Sequence, residues 1–193
     1  HFRSVHRGAY FTEMKTTTVR KLLPETWGFL CPVHTPDGSP CGLLTHLSAQ
    51  CKPVVNLIDQ TLVAEIHAAL IHLGMLSTEE AHLANRRQIS DGAGPVISGS
   101  RYVWVVIDGR PVGRIIAPLQ ESITNSLRSM KRKNSWQIEL ASSKIGEAAN
   151  NLFPGLYVFT GPCRFARPII CLEDGRTEWV SPMEQRHMSI AAS

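Results

Sequence analysis

Apolar positions recur at helical spacing over residues 61–75, where Leu62, Val63, Ile66, Ala69, Leu70 and Leu73 share one face and Gly74 stands near the stop. One face of that helix must be buried. A weaker helical signal covers residues 77–85, and residues 90–100, rich in Gly and Ser with one Pro, read as a loop. The pattern then changes. Tyr102, Val103, Trp104, Val105, Val106 and Ile107 are β-branched or aromatic, Asp108-Gly109 follows, and residues 112–116 are apolar again, which predicts a strand, a tight turn and a strand. Pro118 can open a helix through Leu119, Ile123, Leu127 and Met130, with Glu121 in its first turn and Arg128, Lys131, Arg132 and Lys133 at its end. Those cations suit the helix dipole and are read first as a solvated helix end, second as a phosphate or partner contact. Residues 134–140, 157–160 and 167–172 read as short strands, the last ended by Asp174-Gly175. The fold class is α+β: an irregular Pro/Gly-rich loop segment followed by a small mixed module.

That loop segment, residues 19–47, has no period at all. Pro32, Pro36 and Pro40 each lack an amide hydrogen and restrict the residue before them, so no ordinary helix runs through them. Turn signals sit at Pro36-Asp37-Gly38 and Pro40-Cys41-Gly42. Trp27, Phe29, Leu30, Leu43, Leu44 and Leu47 supply apolar anchors, so the segment is a fixed loop rather than a disordered one. Just upstream, Thr16-Thr17-Thr18-Val19 is β-branched and suits a short strand.

Composition narrows the class. In 193 residues, 43% hydrophobic and 19% charged, the chain can bury one good core or two small ones. It has no starting Met, no basic-plus-apolar leader and no run of about eighteen apolar residues, and is expected to be a soluble, intracellular piece of something longer. Cys31, Cys41, Cys51, Cys163 and Cys171 are an odd number without a CxxC pair, expected reduced and mostly buried. Cys31, His34 and Cys41 do not complete a tetrahedral zinc set; Cys31 and Cys41 are better read as small buried hydrophobes.

Net charge is +4, so its distribution must decide. Residues 1–26 set Arg3, Arg7, Lys15, Arg20 and Lys21 against Glu13 and Glu25, with His1, His6, Tyr10 and Phe11 among them. Cations neutralise phosphates and aromatic faces stack on bases, although composition by itself reads first as a solvated surface and second as a nucleic-acid path. Asp37, in a turn whose Pro fixes φ and whose Gly tolerates positive φ, reads on its own as a side chain capping that turn. Gly92, Gly94 and Gly99 lack the strand–turn–helix context of a nucleotide fold, and no Ser-His-Asp order or DxDxD-like cluster occurs.

Residues 27–43 carry Trp27, Gly28, Cys31, Pro32, Thr35, Pro36, Asp37, Gly38, Cys41, Gly42 and Leu43 in the order W-G-x-x-C-P-x-x-T-P-D-G-x-x-C-G-L. This resembles the signature of the second-largest, beta-type subunit of multisubunit DNA-dependent RNA polymerases. Residues 19–38 most resemble the RNA polymerase I version, since the polymerase II and III counterparts usually carry Glu where this chain has Asp37. The resemblance covers essentially the whole chain. It implies part of a larger multidomain subunit: residues 1–50 as the end of a fork-shaped domain, 51–176 as an external α+β module, and 177–193 as the incomplete, poorly packed start of the next.

The resemblance further implies templated nucleotidyl transfer from ribonucleoside triphosphates, with this piece forming an active-centre wall and inactive by itself. Arg3, Arg7, Arg20 and Lys21 would line the path of template DNA and the RNA–DNA hybrid. Asp37 would stand near the incoming nucleotide and pair with a basic residue from elsewhere. Mg²⁺ would be held by carboxylates of the largest subunit, and the subunit's own zinc motif would lie outside this stretch. The implied partners are the largest and other polymerase subunits, with no membrane, in the nucleus and nucleolus. The competing reading is a non-enzymatic module whose basic patches bind nucleic acid or an acidic partner; a self-contained zinc protein is the weakest of the three.

Overall fold

The computed structural model describes residues 3–78, 102–144 and 153–191. In chain order the elements are β1 (Ser4–His6), α1 (Tyr10–Glu13), β2 (Leu44–His46), β3 (Lys52–Val54), α2 (Gln60–His72), β4 (Leu76–Ser77), β5 (Tyr102–Ile107), β6 (Arg110–Ile116), α3 (Gln120–Asn134), β7 (Glu139–Ser143), β8 (Gly155–Phe159), β9 (Arg164–Ile170), β10 (Thr177–Val180) and α4 (Pro182–Gln185). Two compact units result. One is Asn56–Pro162; the other joins His1–Val55 to Cys163–Ser193.

The Asn56–Pro162 unit holds the helix-on-sheet core. Asp59 starts α2 by accepting hydrogen bonds at Oδ1 from the Thr61 hydroxyl (2.6 Å) and amide (2.9 Å), and these bonds hold its carboxyl below the usual carboxylate range. The helical face read from the sequence buries Ile66 and Leu70. The Asp108-Gly109 turn closes the β5–β6 hairpin with both residues at positive φ, +47° and +81°, the conformation that matches the twist of the flanking strands. Asp108 also accepts hydrogen bonds from the Thr160 amide (2.7 Å), the Thr160 hydroxyl (2.5 Å) and the Gly161 amide (3.3 Å), tying the turn to the end of β8.

The sheet runs β4-β6-β5-β8-β7, with β5 and β8 parallel and the other pairs antiparallel. Val103, Val105 and Ile107 alternate into the core, where Ile115, Leu140, Leu156 and Val158 join them beneath Ile66, Leu70, Ile123 and Leu127. Gln120, at the start of α3, is buried and its Nε2 donates to Ser142 Oγ (2.9 Å), Ser143 O (3.0 Å) and Gly155 O (3.0 Å), stitching the helix to β7 and β8. An apolar residue there would leave those acceptors buried without that donor.

In the unit containing His1–Val55, β1 pairs with β2 antiparallel, Val5 opposite Thr45, and β9 lies between β10 and β3. The two segments of this unit are therefore paired directly through β3 and β9, Pro53 opposite Phe165.

Several local expectations are corrected. Residues 16–19 form no strand; Thr18–Arg20 is a single 3-10 turn, closed locally by the Arg20 amide donating to Thr17 O (3.0 Å) and the Thr18 amide donating to Thr16 Oγ1 (3.3 Å). Of residues 77–85, Ser77 is in β4, and residues 79–85, like the expected loop at 90–100, lie outside the described residues. The strands predicted at 134–140, 157–160 and 167–172 occur as β7, β8 and β9, shifted by two to five residues at their starts. Lys131 is not a solvated helix-end cation: it is 2% exposed, because the i, i+4 spacing from Leu127 puts it on the buried face. The tail after Glu178 is not poorly packed. Val180, Ser181 and Glu184 are buried, and a reciprocal capping box between Ser181 and Glu184 starts α4, with the Ser181 amide donating to Glu184 Oε2 at 3.1 Å.

Candidate functional site

Before β2, the irregular loop that begins at residue 19 has no sheet ladder or α-helix to pair its backbone, so side chains and turns hold it. Phe29 and Leu43 are its buried anchors. Leu30 bridges Leu47, the Cys31 amide donates to His46 O (2.8 Å), and the Ser48 amide donates to Phe29 O (2.9 Å). The Ser48 hydroxyl donates to Gly28 O. Thr35 works in both directions: its hydroxyl donates to Leu44 O (2.7 Å) and accepts from the Gly42 amide (2.9 Å). A Cβ on Gly42, at φ +74°, would lie 2.6 Å from Arg20 O, so this glycine is required by conformation and by space together.

The predicted cations divide into two groups. Arg3 Nη2 donates to the carbonyls of Ser48 (2.9 Å), Ala49 (3.2 Å) and Cys51 (2.9 Å), and Arg20 Nη1 donates to those of Ser39 (2.6 Å) and Cys41 (2.8 Å). These two brace the loop from its two ends. Arg7 and Lys21 are exposed, and their side chains make no hydrogen bond or ion pair with the described residues. All of Arg7, Arg20 and Lys21 line one cavity of about 320 Å³, whose wall includes Leu30, Cys31 and Thr35. A concave site with two uncommitted cations and a third held rigidly is suited to phosphate or phosphodiester groups.

Asp37 lies outside that wall. It is exposed and makes no hydrogen bond or ion pair with the described residues, so it does not cap its own turn; the Cys41 amide donating to Gly38 O (3.1 Å) closes that stretch instead. Trp27, read from the sequence as an apolar anchor, is 62% exposed. All five cysteines are free thiols, but only Cys51 is buried, and burial pushes its thiol up; Cys31 is half-buried and Cys41 and Cys163 are exposed, which corrects the expectation of mostly buried thiols. His34 and His46 stack face to face, centroids 3.7 Å apart and 7° from parallel. Burial and then the charge of His34 hold the His46 imidazole below its ordinary value. Among the described residues, no group of three or more His, Cys, Asp and Glu side chains is placed to hold a metal ion.

Sequence reasoning missed Arg167 and Gln185. The Gln185 Nε2 donates to Trp27 O (2.9 Å), its Oε1 accepts from Arg167 Nε (2.7 Å), and the Arg167 guanidinium stands 5.8 Å from the Phe29 ring centre. No local pattern marks either residue, since each meets the loop across more than 130 positions of sequence.

The family model described as RNA polymerase Rpb2, domain 3, matches residues 1–52. The chain is 44% identical over 196 residues to DNA-directed RNA polymerase I subunit RPA2 of Pongo abelii, 43% over 196 residues to that of Homo sapiens, and 41% over 191 residues to that of Drosophila melanogaster. Each of these alignments covers 99% of this chain, and the chain spans 16% of the length of each relative. With the W-G-x-x-C-P-x-x-T-P-D-G-x-x-C-G-L loop held in one conformation, the likeness to the second-largest, Rpb2-type subunit of DNA-directed RNA polymerase I runs the length of the chain.

Proposed function

We propose that this chain supplies part of the active-centre wall of a DNA-directed RNA polymerase, RNA polymerase I, in the nucleus and its nucleolus. The observation that carries the reading is the cavity inside the signature unit, where the Arg7 and Lys21 side chains have no partner among the described residues and stand beside an Arg20 held in place by two carbonyls. Rigid backbone bracing pre-organises a site, and uncommitted cations then bind the phosphates of template DNA, the RNA–DNA hybrid or a ribonucleoside triphosphate at little further ordering cost. Arg3, whose guanidinium is engaged with three carbonyls, braces this wall from behind. Asp37, open to its surroundings, accepts from a basic residue of another subunit near the incoming nucleotide.

In this reading the magnesium of nucleotidyl transfer is held by the largest subunit and the zinc of the full subunit lies elsewhere in it. The piece positions and does no chemistry, so it has no activity by itself. Residues 1–50 then correspond to the end of the fork, residues 51–176 to the external module and residues 177–193 to the start of the next.

Photo-crosslinking tests this directly. An assembled polymerase given RNA with a photoreactive 3′ nucleotide is expected to crosslink within residues 3–45 of this subunit, and not within residues 56–162. Crosslinks confined to residues 56–162, or absent from this stretch while other subunits are labelled, would contradict the reading.

A further inference from the structure

We infer that Arg167 and Gln185 are positioning residues for the signature loop, a bridge by which the β9–α4 segment sets the pose of Trp27 and the residues that follow it. The inference rests on the reading above only for its kinetic consequence; the bridge itself stands on geometry.

Four observations converge on it. Gln185 uses both ends of its amide, donating to Trp27 O and accepting from Arg167 Nε, so neither bond forms without fixing the same side chain. Arg167 faces the Phe29 ring, one of the two buried anchors of the loop. Gly28 lies between these partners at φ +81°, and a Cβ there would come within 2.6 Å of Arg167 Nε. The chain is thus shaped to admit the arginine against its backbone. Finally, both residues sit on secured elements: Arg167 is opposite Val180 in the β9–β10 ladder, and Gln185 ends the capped α4, its amide donating to Ser181 O at 3.0 Å.

The geometry has a direction. Trp27 is largely exposed, so its own side chain does little to hold it, and its carbonyl is where the downstream segment takes hold. Phe29 and Leu30 follow immediately and carry the turn into Cys31, on the wall of the cation-lined cavity. A shift at Trp27 is therefore passed to that wall through a few backbone hydrogen bonds.

Gln185→Glu separates positioning from general stability. The carboxylate keeps the size of the side chain and still accepts from Arg167, but it cannot donate to Trp27 O. In the assembled polymerase this variant is expected to raise amide exchange at Phe29, Leu30 and Ser48 by about tenfold, the size of one lost net hydrogen bond, while the β3–β9 ladder keeps its protection. The KM for the incoming nucleotide should rise several-fold with kcat nearly unchanged, because the wall binds and does not react. Arg167→Lys, which removes the planar donor and keeps the charge, should give the same pattern.

Unchanged exchange at Phe29 and Leu30 overturns the inference, as does equal loosening of the β3–β9 ladder, which would make Gln185 a general structural residue. Raised exchange at the loop with unaltered nucleotide addition supports the bridge and contradicts the active-centre reading instead.

Discussion

Gly42→Ala is expected to open the signature loop and lower the protection of the Leu43 and Leu44 amides by about a hundredfold, the equivalent of roughly 3 kcal/mol of local opening free energy. Two costs add. A left-handed φ of +74° disfavours alanine by about 1–2 kcal/mol, and the new methyl would meet Arg20 O at 2.6 Å and Arg20 Cβ at 2.9 Å, an overpacking cost of about 1–3 kcal/mol. Because the clashing atoms include backbone, no rotamer change relieves them. Gly38 provides the comparison, since it has a similar φ of +84° but nothing within 4 Å of a built Cβ. Gly38→Ala should carry only the conformational cost. Hydrogen exchange on the two variants reads the difference, and equal effects would mean that the close approach of Arg20 to Gly42 holds nothing.

Leu127→Ala is expected to destabilise the Asn56–Pro162 unit by about 2–5 kcal/mol, the range for truncating a fully enclosed leucine. Leu127 has no exposed surface and packs in the cluster formed by α2, α3 and the sheet. With an ordinary urea dependence for a unit of this size, the unfolding midpoint should fall by about 1 M or more. Trp104 and Trp136 both belong to this unit and report the transition by fluorescence. Leu119→Ala, at a position 46% exposed, should shift the midpoint little. If the two variants behaved alike, the core would not be where the structure puts it.

These two positions also mark what the sequence made legible. The helical spacing that names Ile123 and Leu127 survives into the structure because one face of α3 is buried over its whole length, and periodicity reports burial. Asp108-Gly109 was readable because a two-residue hairpin loop has few chemical solutions. The same local logic failed at Lys131, where a cation near a helix end predicts solvent and the helix face dictates burial. It failed again at residues 16–19, whose β-branched side chains suit a strand but whose backbone closes a local turn, the Arg20 amide donating to Thr17 O.

At the candidate site, the motif residues were legible and their roles were not. Gly42 read as turn punctuation and Thr35 only as a motif position, whereas their amide and hydroxyl form the stitch that closes the loop onto Leu44. Arg3 and Arg20 read as phosphate ligands equal to Arg7 and Lys21, and the carbonyls that separate the two groups are 19 to 48 residues away in sequence. Arg167 and Gln185 carried no signal, since each reaches the loop only through the pairing of β9 with β3 and the placement of α4.

The division of the cations decides how the central claim is best tested. Arg20→Ala would remove a brace and a wall residue together, so slow nucleotide addition by that variant would have two explanations. The side chains of Lys21 and Asp37 make no hydrogen bond or ion pair among the described residues, so their loss leaves the loop intact. The measurement is single-nucleotide addition by assembled polymerase on a preformed template–RNA scaffold, with Lys21→Ala and Asp37→Asn in this subunit and subunit content verified. The account predicts that both variants assemble normally and add the nucleotide several-fold more slowly at sub-saturating triphosphate. Normal rate and fidelity in both variants would contradict the active-centre wall and leave these residues as surface positions of the loop.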